Sequence, residues 1–325
     1  MQSNLSSLRA ITHSGVGPAG PTAPAPFLHR ARGRGALGSP RRTLGPAAAY
    51  LVLTVGAAAT LVPFVWMVLI SVKPLSEFAQ YPGDIWPHTL AWSNYPEVLA
   101  SFAFARYFLN SVILAVSQTA ATLLVCSLAG YAFARLSFPW RNAFFVFVLA
   151  TMMIPFQITM IPLFLIIRGF PLAGGNDLLG QGGFGLLNTF PGLALPWVAS
   201  GFGIFLCRQF FQTLPVEMED AARVDGSSEF GIYWRIFLPL SGPPMAVLAV
   251  FTFQGAWNSF MWPLLVTTND TVRPLQLALA LLSQEYGTRF DLLMAGTVIA
   301  SLPIIVLFLA AQRYFIEGIS LTGMK

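Results

Sequence analysis

The sequence predicts an all-α integral membrane protein with six transmembrane helices, and three observations carry that prediction. Of its 325 residues, 55% are hydrophobic and only 10% are charged, against roughly a quarter charged in an average soluble domain. Six uncharged apolar stretches follow one another along the chain, each near or above the roughly 20 residues that cross a bilayer. All 18 basic residues, all 13 acidic residues and all 3 histidines fall outside those stretches. A soluble enzyme or a nucleic-acid binder could not cover its surface with so few charges. The net charge of +5 does not argue otherwise, because six arginines precede residue 43 and the excess belongs mostly to a short tail.

Residues 1–46 come first. They are rich in Gly, Pro, Ala, Ser and Arg without hydrophobic periodicity, and such a segment cannot bury enough apolar surface to offset its ordering entropy. A disordered basic tail is expected there, with no apolar core of signal-peptide length. Its Arg-Ala-Arg-Gly-Arg run at 30–34 reads as solvated charge that helps fix orientation. The spans follow at 47–70, 107–134, 143–167, 186–207, 245–266 and 292–312. An even number puts both termini on one side, and the basic residues select that side. With cytoplasmic termini, 13 of the 18 lie inside: six in the tail, then Arg135, Arg141, Arg208, Arg223, Arg235, Arg313 and Lys325. Only five lie outside, namely Lys73, Arg106, Arg168, Arg273 and Arg289. Both termini are therefore expected in the cytoplasm.

Three features depart from plain spans. Pro155 and Pro162 lie in the third span, where a missing N–H and a ring clash kink or thin the helical ladder. The loop at 168–185 is rich in glycine, including Gly174, Gly175, Gly180, Gly182, Gly183 and Gly185, but has neither the Lys of a phosphate loop nor the spaced Asp set of a calcium repeat, so a flexible loop is expected. The segment 208–244 between spans four and five is amphipathic and carries eight charged residues. Cys126 and Cys207 sit inside apolar runs and read as small apolar fillers rather than a disulfide framework.

Several chemistries drop out. An ionisable residue within a span is the usual mark of a proton relay, and its absence here weakens a proton-driven carrier, though sodium sites built from carbonyls survive. No catalytic group is expected, because an intramembrane Ser–His pair needs a buried imidazole. No metal site is expected either, since three loop histidines lack clustered Cys or carboxylate partners. A phosphate loop needs a Gly-Lys step, yet Lys73 follows Val72 and Lys325 follows Met324. If this protein moves a solute uphill, another chain supplies the energy. The alternative is a secondary carrier or channel acting without an ATPase.

The segment between spans four and five reads as helix, turn, helix. Pro215 suits a first helical position, Glu217, Glu219 and Asp220 place negative charge at the positive end of the helix dipole, and Gly226 is the expected left-handed stop. Ser227 or Ser228 is placed to cap a second helix, in which Phe230, Tyr233, Trp234 and Phe237 recur at helical spacing. Small Ala221 and Ala222 would let a partner approach closely. Docking to a partner and lying on the membrane surface are equally open on this evidence.

The same residues resemble a family signature. Importer-type ABC permeases carry Glu-Ala-Ala, three residues, Gly, nine residues and Ile-x-Leu-Pro, and here Asp220-Ala221-Ala222, Gly226 and Ile236-Phe237-Leu238-Pro239 reproduce each spacing. Asp220 in place of Glu is the one departure. Asn110-Ser111, Tyr131-Ala-Phe-Ala-Arg135, Met153-Ile-Pro155, Trp257-Asn258 and Glu317-Gly318 are likewise similar to carbohydrate permeases of the maltose-importer type, specifically the six-helix, MalG-like subunit. The resemblance covers roughly 47–325 and leaves out the tail and the Gly-rich loop.

What the resemblance implies is a type I ABC importer permease for sugars in the bacterial inner membrane. It would pair with a second permease, two cytoplasmic ATPase subunits that bind ATP and Mg, and an extracytoplasmic sugar-binding protein, with no cofactor in this chain and no nucleic acid. A loop at 212–240 would couple ATPase closure to alternating access through Glu219, Asp220, Ala221, Ala222, Gly226, Ile236, Leu238 and Pro239, with Glu219 and Asp220 touching the ATPase. Gly318–Lys325 would add a docking tail. For the translocation path the candidates are Ser111, Gln118 and Thr122 on one face of span two, with Gln254, Trp257 and Asn258 on span five. Such groups suit sugar hydroxyls and apolar sugar faces. They suit bonds between helices at least as well.

Overall fold

The structure, a computed structural model, describes residues 46–322 apart from 82, 102 and 286–288. Helices, turns and loops account for these residues, with no strand among them. The tail expected over 1–46 lies outside the described residues except for Pro46, which opens the first helix. Two units divide at Val55 and Gly56, and the described part of the first is only the opening of one helix.

Helix α1 (Pro46–Ser71) is apolar throughout, and Leu61, Val62, Phe64, Val65 and Trp66 are each more than half exposed. An apolar helix so uncovered faces lipid or another apolar partner. The loop after it holds two short helices that the sequence pattern did not mark, α2 (Leu75–Gln80) and α3 (Asn94–Ala100). Buried Glu77 fastens that loop by accepting from His88 N at 3.0 Å and Thr89 N at 2.8 Å. Helix α4 (Phe104–Arg135) is the second span and the centre of the fold. At 32 residues it is roughly 48 Å long.

The third and fourth spans are each broken. The third consists of α5 (Arg141–Thr151) and α6 (Phe156–Arg168), which meet at 104°. Pro155, extended at φ −60° and ψ 136°, makes the break, whereas Pro162 lies inside α6. The fourth consists of α7 (Phe190–Val198) and α8 (Gly201–Thr213), bent by 46°. Between spans four and five come α9 (Glu217–Val224), α10 (Glu229–Ile232), a π-helical turn at Tyr233–Phe237 and α11 (Leu238–Leu240). Helix α12 (Gly242–Trp257) then leaves at 79° to the stretch Glu229–Leu240. The stretch before the bend carries Glu229 and Arg235, so it belongs along the membrane boundary, and α12 with α13 (Met261–Val266) forms the fifth span. Helix α14 (Leu275–Glu285) precedes α15 (Phe290–Thr322), the sixth span. The three unbroken spans are 24, 32 and 23 residues long.

Helices α4 and α8 make the most extensive helix pair, and small residues explain why. Cys126 and Gly130 on α4 face Gly203 and Cys207 on α8, a small residue every fourth position on each side. A Cβ added at Gly130 would lie 2.5 Å from Cys207 Cβ, and one at Gly203 would lie 2.8 Å from Cys126 Sγ. Close backbone approach of this kind is how helices associate where no hydrophobic drive separates lipid from protein. Both cysteines are free and fully buried, as fillers should be.

The Gly-rich loop differs from expectation. It is a compact knot built around Asn176, whose Nδ2 donates to Arg168 O (2.8 Å) and Phe170 O (3.1 Å) while Oδ1 accepts from Gly183 N (2.8 Å). Asp177 Oδ1 accepts from Leu179 N and Gln181 N, each at 2.8 Å. Two Asx side chains thus satisfy backbone groups that composition alone assigned to solvent. Replacing Asn176 by Ala should cost about 1–3 kcal/mol, the penalty for leaving buried groups unpaired, and should appear as new protease cleavage within 168–185.

Candidate functional site

The segment between spans four and five folds from its own capping signals. Asp225 N, Gly226 N and Ser227 N donate to Ala221 O (3.0 Å), Arg223 O (3.0 Å) and Ala222 O (2.9 Å). With Gly226 at φ +78°, this is a Schellman stop, in which a left-handed residue lets the chain turn back on the last carbonyls. Two residues on, Ser228 starts α10 by accepting from Gly231 N at 3.2 Å. Of the two serines considered, it is therefore Ser228 that caps.

The expected aromatic stripe does not form one face. Tyr233 and Phe237 are buried with Ile232, whereas Phe230 is 64% and Trp234 51% exposed. The π turn at Tyr233–Phe237 has a longer repeat than the α-helix, which takes the two pairs of rings out of register. Phe230 and Trp234 stack outward with centroids 6.1 Å apart. Tyr233 reaches inward instead, with its hydroxyl 2.7 Å from Ser127 Oγ on α4.

An ionic network ties this segment to α4. Arg223 contacts Glu219, Asp220 (3.5 Å) and Glu229 (2.9 Å), and Tyr131 on α4 donates to Glu229 Oε2 at 3.0 Å. The hydrogen bond from Arg223 holds the Glu229 carboxyl below the usual carboxylate range. Arg135, the last residue of α4, lies 3.7 Å from Glu219 and donates to Phe211 O (2.6 Å) and Leu214 O at the end of α8. The acids expected to act together therefore part. Asp220 is exposed with Ala221, whereas Glu219 is 2% exposed and faces inward with Ala222. Helix geometry requires this, since consecutive residues lie about 100° apart around the axis. Among the remaining candidates, Gly226 and Pro239 are exposed, while Ile236 and Leu238 pack on the buried cluster of Phe211, Tyr233 and Phe237.

A second feature lies within the spans. Three breaks, at 152–155, 199–200 and 258–260, converge on one cavity of about 600 Å³. Irregular backbone at membrane depth is tolerated where it is buried in protein or lines a cavity. Gln118, Thr252 and Ser259 supply polar groups, Phe156, Phe202 and Phe251 supply rings, and among the described residues none that lines the cavity is charged.

Residues 126–320 match the family described as the inner membrane component of binding-protein-dependent transport systems. The chain belongs to that family. The permease is 35% identical over 292 residues to the arabinooligosaccharides transport system permease protein AraQ of Halalkalibacterium halodurans, covering 88% of this chain and 99% of that one. It is 35% identical over 278 residues to the lactose transport system permease protein LacG of Rhizobium radiobacter, covering 86% and 96%. Among solved structures it is similar to a chain of a bacterial ABC transporter involved in the import of the acidic polysaccharide alginate, with TM-score 0.72, 23% identity and coverage of 84% and 97%. That last likeness is one of fold, and the fold is the type I importer permease that the sequence resembles. The chain is a membrane transport component, not an enzyme.

Of the six polar candidates for the permease's path, the structure brings only Gln118 to the cavity. Ser111 accepts from Leu275 N at 2.7 Å and so caps α14. Thr122 is fully buried and donates to Trp197 O at 3.5 Å. Trp257 is fully buried between Phe108 and Phe253, its Nε1 donating to Ala300 O at 3.0 Å. Gln254 and Asn258 are exposed away from the cavity lining. Ser111, Thr122 and Trp257 are thus each engaged in a bond to another helix. Trp257→Ala should accordingly cost about 3–5 kcal/mol, read as a lower Tm in detergent, with the KM of surviving uptake unchanged. The residues that sequence reasoning missed are Arg135 and Arg223. Arg135 closes the Tyr131–Arg135 motif, and that position was the available signal.

Proposed function

We propose that the permease imports neutral oligosaccharides by coupling the closure of partner ATPases to alternating access. The observation that carries this is the coupling segment. It is a short helix stopped at Gly226, with Asp220 and Ala221 outward and Glu219, Ala222, Ile236 and Leu238 packed toward the spans. A surface presented outward and fastened inward suits a part that receives force and passes it on. In this reading residues 47–325 form one permease domain with its coupling loop at 212–240, both termini are cytoplasmic, and Asp220, Ala221 and Gly226 meet the ATPase. ATP and Mg bind in that partner. A second permease and an extracytoplasmic sugar-binding protein complete the assembly, in keeping with a family named for binding-protein-dependent transport.

Neutral sugar is favoured by two facts. Relatives at 35% identity are named for arabinooligosaccharides and lactose. The cavity combines amide, hydroxyl and aromatic groups without a charge, and a buried anion would need a counter-charge. The test is uptake of labelled arabinotriose, lactose and glycerol phosphate by cells with and without the gene. Loss confined to a neutral sugar is expected. Loss confined to glycerol phosphate would overturn the substrate assignment.

A further inference from the structure

We propose that Arg135 is a positioning residue that passes movement of α9 into α4 and α8 by closing on Glu219. The proposal rests on the coupling role given to α9 above. Arg135 stands where three helices meet. It ends α4, and its Nη2 holds the last carbonyls of α8, at Phe211 (2.6 Å) and Leu214. Its guanidinium also lies over the Phe237 ring, 5.1 Å from the centroid. Its Nη1 faces Glu219 Oε2 across 3.7 Å, beyond a hydrogen bond. Glu219 is buried and Arg135 largely so, with side chains 3% and 11% exposed. Arg135 Nε and Glu219 Oε2 nonetheless have no hydrogen-bond partner among the described residues.

Glu219 is otherwise committed. Arg223 takes its Oε1, which leaves Oε2 directed at Arg135. A charge-assisted N–H···O bond from a guanidinium to a carboxylate runs at about 2.8 Å, so Arg135 Nη1 stands roughly 1 Å short of bonding Glu219 Oε2. A shift of α9 of that size, within the range of helix displacements at switching interfaces, completes the bond. The coupling helix, α4 and α8 are then joined through one side chain. Lysine cannot replace this arrangement, because Arg135 holds the two carbonyls from Nη2 and faces Glu219 from Nη1, whereas an ammonium has one nitrogen and no planar spread of donors.

The experiment uses the whole complex in proteoliposomes, with arabinotriose and lactose as probes, and reads sugar imported per ATP hydrolysed. Glu219→Gln and Arg135→Lys should each lower that ratio about tenfold, and the double variant should be no worse than the more impaired single. All three should still co-purify with the ATPase. Unchanged ratios, or independent losses multiplying to about a hundredfold, would overturn the proposal. Failure of Glu219→Gln to co-purify would also overturn it, by making Glu219 a docking determinant. Gly226→Asp run in parallel separates the two levels. If that variant transports normally, the coupling role itself fails, whereas if it is inactive and the pair variants are normal, only the Arg135 proposal fails.

Discussion

Gly226→Asp is expected to reduce ATP-driven uptake at least tenfold, roughly 1.4 kcal/mol or more of lost coupling, while the protein remains in the membrane at normal abundance. Gly226 sits at φ +78°, and a Cβ placed there meets nothing within 4 Å. The substitution therefore adds strain of about 1–2 kcal/mol for a left-handed L-residue but no clash. Against a total stability of about 5–15 kcal/mol, the fold should survive. The change falls instead on the outward surface. A carboxylate appears beside Asp225 and two residues from the end of α9, where a partner must approach the turn closely. Gly226→Ala, with the strain but not the charge, should keep most uptake. Immunoblots of the membrane fraction together with initial uptake rates distinguish the two variants.

A large loss of stability is likewise expected from Gly130→Leu. The added Cβ would lie 2.5 Å from Cys207 Cβ and 2.9 Å from Arg208 N. The second of these is backbone, so no side-chain rotation relieves it. Helices α4 and α8 must move apart, and the rest of the leucine makes the misfit worse. Overpacking typically costs about 1–3 kcal/mol and occasionally more, and the widest helix contact in the molecule should lie at the high end. The separation would also pull Arg135 away from the carbonyls it holds at the end of α8. Thermal scans in detergent should show a clear fall in Tm, with most of the chain aggregated on size exclusion. Cys207→Ala is the contrasting variant: it removes one sulfur from a site with free thiols only and should stay near wild type.

The sequence was most informative where a single physical constraint dominates. Lipid excludes charge, so the six spans and their order could be read from composition, and α4 begins and ends within three residues of its expected 107–134. Capping is local chemistry, so Gly226 and Ser228 behave as their residue types require. What could not be read needed a third dimension. The breaks at 152–155, 199–200 and 258–260 look like interruptions of apolar runs until the fold brings them around one cavity. Glu219 and Asp220 are neighbours in sequence, yet their opposite roles depend on which side of α9 faces α4. The Gly-rich loop misled because composition counts flexible residues and not the Asn176 side chain that gathers them. Helical spacing is similarly silent about which element a given face meets. Ser111 and Thr122 on α4 and Trp257 on α12 are each bonded to another helix.

The central claim is that this chain moves sugar only when coupled to an ATPase through the segment between spans four and five. The most direct measurement is sugar uptake into proteoliposomes holding either the purified chain alone or the full complex, with labelled arabinotriose and lactose outside beside the binding protein. Uptake is predicted only for the complex, and only with ATP on the side that carries residues 208–244. Uptake by the chain alone, driven by a sodium or proton gradient without ATP, would contradict the account.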